Sequence, residues 1–238
     1  NLEMVLIPAG TFMMGSPERR LNSFTGDWSG VSEKDRRNDE RQHQVTISKP
    51  FYLGKYPVTQ IQWEKVIGDN PSAFKGQNLP VEHVNWYEAI GFCRKLANDS
   101  RFPFRLPTEA EWEYACRAGN ANAFCFGNNE NDLVNYAWFD VNSGNRTHPV
   151  GIKRSNQWGI HDMHGNIWEW CMDWYGAYPG EQDTDPTGSQ VGTFRVLRGG
   201  SYFEPASSLR SSFRLNDFSA ARYNSCGFRV AMDYVISN

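Results

Sequence analysis

Between Gly159 and Trp174 the chain sets three carboxylates, Asp162, Glu169 and Asp173, among three tryptophans, two histidines and two glycines. Rings of that size are mostly buried, so the acids beside them are carried toward a low dielectric and need a partner there. Two arrangements supply one. A hard cation can be held by side-chain and carbonyl oxygens, with Gly159 and Gly165 letting the backbone curl around it. Alternatively, arginines pair with the acids inside an irregular, tryptophan-rich core. The residues by themselves leave both open. His161 and His164 lie at the start of the stretch, but no serine or cysteine nucleophile is tied to either, so a catalytic histidine is not expected.

The other reactive side chains are the five cysteines, Cys93, Cys116, Cys125, Cys171 and Cys226. They lie far apart, without a C-x-x-C pair or a His/Cys cluster at zinc spacing, and their odd number argues against a complete disulfide framework. Cys93 and Cys116 fall on apolar helix faces, which reads as packing. A formal charge of −3 and the absence of a basic block interleaved with aromatics exclude the footprint of a nucleic-acid binder. No apolar run approaches a membrane span, and no signal peptide is visible, although a leader or lipid anchor removed earlier would leave no trace. The 238 residues, 39% apolar and without a compositional break, are expected to form one domain over 1–238.

Several elements must position these groups. Residues 4–15 read as two short strands around Pro8-Ala9-Gly10, a hairpin start, and 44–49 and 50–56 as two more. Residues 16–44 are a polar excursion in which Glu33, Lys34, Asp35, Arg36, Arg37, Asp39, Glu40 and Arg41 mix both signs. Thr59 with Gln62, and Thr108 with Glu111, are capping-box patterns that open helices. Trp86, Ala89, Ile90, Cys93 and Leu96 recur at helical spacing, which predicts an amphipathic helix over 86–98. Beyond Gly119 only short apolar runs broken by Gly, Asn and Pro remain, predicting loops and short strands.

The strings 8–15 (PAGTFMMG), 56–59 (YPVT), 80–86 (PVEHVNW), 105–115 (RLPTEAEWEYA), 165–170 (GNIWEW), 198–201 (RGGS) and 227–230 (GFRV) occur in one order along nearly the whole chain. Together they closely resemble the formylglycine-generating enzyme, or sulfatase-modifying factor, family. That resemblance implies an α+β, C-type-lectin-like fold with little regular secondary structure. It also implies structural calcium at the tryptophan motif, carried over by position onto Asp162, Gly165, Ile167 and Glu169. A second family calcium site would fall near 135–143, where Asn135, Tyr136, Asn142 and Ser143 match its pattern poorly. The oxidase members carry two cysteines just after the Gly-Gly-Ser segment. Here 202–210 holds no thiol, so copper is not expected. The sulfoxide synthases that share the fold also need an iron-binding helical domain for which 238 residues leave no room.

Between Gly200 and Gly227 the chain offers Tyr202, Phe203, Phe213, Leu215, Phe218 and Tyr223 among small polar residues, punctuated by Arg210, Arg214 and Arg222. Aromatics with Ser, Asn and Asp on loops make an adaptable contact surface. The segment resembles that of the variable proteins diversified by retroelements, whose variable positions end near a Gly-Phe-Arg string. Adenine-specific mutagenesis of asparagine-type codons cannot yield Glu, Gln, Lys, Met or Trp. Those types make up 44 of the 238 residues, so 202–226 should hold four or five of them; it holds one, Glu204. The expectation is a non-catalytic binder that presents Tyr202, Phe203, Ser207, Phe213, Leu215, Asn216, Asp217, Phe218, Tyr223 and Asn224 to a protein ligand at the cell surface. The alternative is an altered enzyme of the family without its cysteine pair.

Overall fold

The computed structural model describes residues 2–18, 20, 21, 28, 29, 35–178 and 180–234. In chain order its strands are β1 (Met4–Ile7), β2 (Gly10–Met14), β3 (Arg20–Leu21), β4 (Trp28–Ser29), β5 (His43–Ile47), β6 (Phe51–Gly54), β7 (Phe104–Arg105), β8 (Trp168–Trp174), β9 (Gln182–Thr184), β10 (Phe194–Arg198), β11 (Arg214–Phe218), β12 (Cys226–Gly227) and β13 (Ala231–Asp233). The helices are α1 (Gln60–Ile67), α2 (Trp86–Ser100) and α3 (Glu109–Arg117). Glu33 and Lys34 of the mixed-charge stretch lie outside the described residues.

All three helices start where side chains replace missing backbone partners. The Gln62 side chain accepts from the Thr59 N–H at 2.9 Å. Thr108 and Glu111 exchange both bonds of their box, at 3.2 and 2.8 Å. A third box, Asn85 with Glu88, opens α2. The α2 helix buries the Trp86, Ala89, Ile90 and Cys93 stripe read from its periodicity. The α3 helix is buried on every side, so Glu109, Glu111 and Glu113 are carried into the interior with it.

The first two strands are not a hairpin. β1 pairs with β6 and β2 with β5, so the Pro8-Ala9 turn sends the chain from one sheet to another. β1 joins the sheet ordered β1-β6-β13-β7, in which the C-terminal strand β13 lies between β6 and β7. A second sheet, ordered β11-β10-β8-β12, carries both the tryptophan motif and the candidate contact segment. Within it β8 is central: Trp168, Glu169, Trp170 and Cys171 are buried in succession, because both faces of the strand are covered. That explains the lack of alternation in its sequence. Two apolar clusters meet across this strand. Trp112, Tyr114 and Met163 lie in one, Trp63, Phe92, Trp170 and Phe228 in the other.

Candidate functional site

The edge strand β11 and its flanking loops divide their side chains between inside and outside. Arg214 reaches inward and grips Glu109 with both arms of its guanidinium, Nε to Oε1 at 2.6 Å and Nη2 to Oε2 at 2.7 Å. Arg210 does the same to Glu40, at 2.7 and 2.8 Å. Arg198, on β10, bonds Glu113 and lies 3.5 Å from Glu109. Burial alone would raise the Glu109 and Glu40 carboxyls. The guanidiniums of Arg214 and Arg198, and of Arg210, outweigh it and hold both below the usual range. The polar excursion closes over the same base: Arg37 donates to the Arg214 carbonyl, and its guanidinium sits 5.0 Å from the Phe213 ring.

Against these anchors the expected contact residues sort into three groups. Phe203, Phe218 and Tyr223 are 46, 57 and 47% exposed, and Asn224 is exposed as well. Ser207, Phe213, Leu215, Asn216 and Asp217 are half-buried. Phe213 lies against Trp168 and under two guanidiniums, and Leu215 packs onto the core. Tyr202 is a correction. It is buried, edge-on to Phe74 at 5.6 Å, with its N–H on the Asn166 carbonyl, and so serves the interior instead of a ligand. The 219–226 turn is fastened from below by Trp86 N–H to the Ser219 carbonyl and His83 N–H to the Tyr223 carbonyl. Arg222 grips Glu88 across the surface.

At the tryptophan motif the arginine pairing is present at Glu169. Glu169 is met by Arg229, Nε to Oε2 at 2.6 Å and Nη2 to Oε1 at 2.7 Å, and accepts the Trp112 indole N–H at 2.7 Å. Its charge is thus neutralised by the arginine. Asp162 is different. It is buried, its one side-chain hydrogen bond among the described residues is from the Gly151 N–H, and desolvation pushes its carboxyl up to about 6. Left-handed backbone at Asp162, Gly165 and Asn166 curls the loop. A side chain at Gly165 would strike the Trp138 carbonyl at 2.2 Å. The donor types therefore fit a hard cation at Asp162 and the Gly165 and Ile167 carbonyls, whereas Glu169 would have to share itself with Arg229. Near 135–143 the Asn142 amide bonds the Ala137 carbonyl and Phe139 N–H, and the Ser143 hydroxyl bonds the Tyr202 carbonyl. Asn142 thus serves the backbone of its own loop, and Ser143 ties that loop to the 202 segment.

All five cysteines are free and buried. Burial pushes the thiols of Cys93, Cys116 and Cys226 to about 12 and that of Cys171 well above its ordinary value. The nucleophilic thiolate is accordingly suppressed at neutral pH in these four. His164 is held between the Leu209 carbonyl and the Cys125 N–H, with Cys116 Sγ 3.8 Å away, all in the interior. No helix among the described residues is long and apolar enough to cross a membrane. The sequence reading missed the inward role of Arg214, because a strand arginine in a polar stretch carries no mark of the Glu109 that meets it 105 positions away.

Short strands gathered into small sheets, with α-helices packed against them, form a mixed α+β fold of the C-type-lectin-like kind. The chain belongs to the sulfatase-modifying factor enzyme 1-like domain family, whose model matches residues 1–234. It is 32% identical to the chaperone protein LppX of Paenibacillus barcinonensis over 77% of this chain and 80% of that one. With the mouse formylglycine-generating enzyme it shares 34% identity over 81% of its own length and 54% of the enzyme's. Among solved structures, Treponema denticola variable protein 1 superposes with a TM-score of 0.85 at 31% identity, covering 97% of this chain and 95% of that one.

Proposed function

We propose that this protein is a non-catalytic binder that presents the exposed part of 202–226, centred on Phe203, Phe218, Tyr223 and Asn224, to a protein ligand. The observation that carries the reading is the split within one segment. Arg210, Arg214 and Tyr202 are locked inside, while Phe203, Phe218 and Tyr223 are left exposed in the same segment. Such a segment tolerates change at its outer positions without disturbing the core, which is what retroelement diversification requires. Similarity to Treponema denticola variable protein 1 supports the same reading. Display at the cell surface is part of the proposal.

The buried thiols and the thiol-free 202–210 stretch disfavour the alternative of an altered family enzyme. Oxygen consumption separates the two. With copper and a cysteine-containing peptide, the binder reading expects no consumption above the peptide-and-copper blank; turnover that depends on the protein would establish the enzyme. We also propose that calcium supports the scaffold through Asp162 and the Gly165 and Ile167 carbonyls, where it would offset the desolvation of the Asp162 carboxylate.

A further inference from the structure

On the inner side of Arg214, a cavity of about 230 Å³ lies between the end of β8, the start of α3 and residues 183–190. Its wall carries four carboxylates, those of Glu109, Asp173, Asp183 and Asp185, against the single guanidinium of Arg214. Glu109 is engaged by that arginine through both oxygens. Asp173 is not engaged in this way. It is 2% exposed, and its one side-chain hydrogen bond among the described residues is the one Oδ2 accepts from the Glu109 N–H at 2.9 Å. The second oxygen, Oδ1, is left as an acceptor at the cavity wall.

The covering segment is built onto this carboxyl. Gly188, at φ +75°, passes so close that a Cβ there would fall 2.7 Å from the Asp173 Cβ and 2.9 Å from Oδ1. Gly188 and Ser189 bridge to the Trp174 backbone, and Asp185 takes both the N–H and the hydroxyl of Ser48. An anion would meet four carboxylates here. Among the described residues no cluster of three or more His, Cys, Asp or Glu side chains could hold a metal ion. A cation that brings its own hydrogen-bond donors needs no such cluster, since one carboxylate and nearby carbonyls can satisfy an ammonium head.

We propose that this cavity binds a primary alkylammonium group, with its head on Oδ1 of Asp173 and its short tail along the apolar wall of Met14 and Ala110. Burial, followed by the Glu109 charge, pushes Asp173 up to about 8 when the cavity holds no cation, with Glu111 adding to the rise and Arg214 opposing it. The other titratable groups at the cavity are Asp183 and Asp185 on the covering segment, His43 on β5 and the Tyr178 phenol after β8. An arriving ammonium therefore displaces a proton, and its affinity is expected to rise by up to about tenfold per pH unit between pH 6 and pH 8.

The test is calorimetric titration of the full chain with n-butylammonium chloride in phosphate buffer, against sodium chloride at equal ionic strength and against 1-butanol. Saturable binding of the ammonium alone, weakened at least tenfold in Asp173→Asn, is expected. Thr187→Trp, at the exposed rim, should weaken it similarly and covers the case in which the first variant misfolds. Butylammonium heats matching those of sodium chloride, equal binding of 1-butanol, or affinity unchanged in a folded Asp173→Asn would overturn the proposal. A parallel titration with Nα-acetyl-lysine amide distinguishes the sources of the group. Tighter binding than butylammonium supports a lysine side chain as occupant, and weaker binding a free amine.

Discussion

At the scale of single residues, the proposed contact segment buries Arg210 and Arg214 in ion pairs and leaves Phe203, Phe218 and Tyr223 exposed. Removing one partner of a buried, forked ion pair leaves the other charge stranded, so Arg214→Ala is expected to cost about 3–5 kcal/mol in urea denaturation. Phe218→Ala and Tyr223→Ala should each cost less than about 1 kcal/mol, since exposed rings contribute little to the core. A loss at Phe218 as large as that at Arg214 would place the ring in the interior and remove it from the binding surface. The buried acids also set the pH response. Asp173, Glu82 and Asp162 are raised to about 8, 7 and 6, chiefly by desolvation. Each binds its proton more tightly folded than unfolded, so its contribution is full below about pH 4 and is lost as pH rises through the folded value. Glu40 and Glu109, held low by arginines, act oppositely and lose their contribution in acid. Stability is therefore expected to fall from about pH 5 to pH 8. In amine-free buffer Asp173→Asn should gain roughly 1–3 kcal/mol over the wild type at pH 8 and little at pH 4; denaturation curves at the two pH values that shift by the same amount would contradict this.

At the scale of elements, the signals that were local in sequence were the legible ones. Helix starts at Thr59 and Thr108 show because a cap and its return bond lie three residues apart, and Thr108→Ala is expected to cost about 1 kcal/mol by the same measurement. The Trp86-to-Cys93 stripe shows because one face of α2 is buried. Partnerships set by distant chain were not legible. The short Pro8-Ala9 turn suits a hairpin, yet β5 and β6 claim its two strands separately. The β8 strand gave no alternation because both its faces are covered, and its Glu169 is matched by an arginine 60 positions on. Composition and resemblance mark the candidate segment as a whole, but not which of its side chains lie inside and which outside. Tyr202 and Phe203 are adjacent and of similar character, and only the packing of Phe74 against one of them separates core from surface.

At the scale of the whole molecule, long loops are held by ion pairs, tryptophan N–H bonds and left-handed turns instead of extended sheets. Calcium at Asp162 would add a further tie to this frame. Chelation is accordingly expected to lower the melting temperature of the wild type and to leave that of Asp162→Ala unchanged; equal melting of the wild type with and without chelator at low residual calcium would remove calcium from the account. The central claim is that this rigid frame exists to carry a surface free to vary. It is tested most directly by the nucleotide sequence of the gene and its flank. The account expects a near-copy of the stretch encoding residues 198–230 beside a reverse transcriptase, with differences confined to adenines of the copy and falling on the codons of outward side chains such as Phe218, Tyr223 and Asn224. A flank without any such copy, or differences spread evenly over the codons of Arg210, Arg214 and Tyr202, would contradict it.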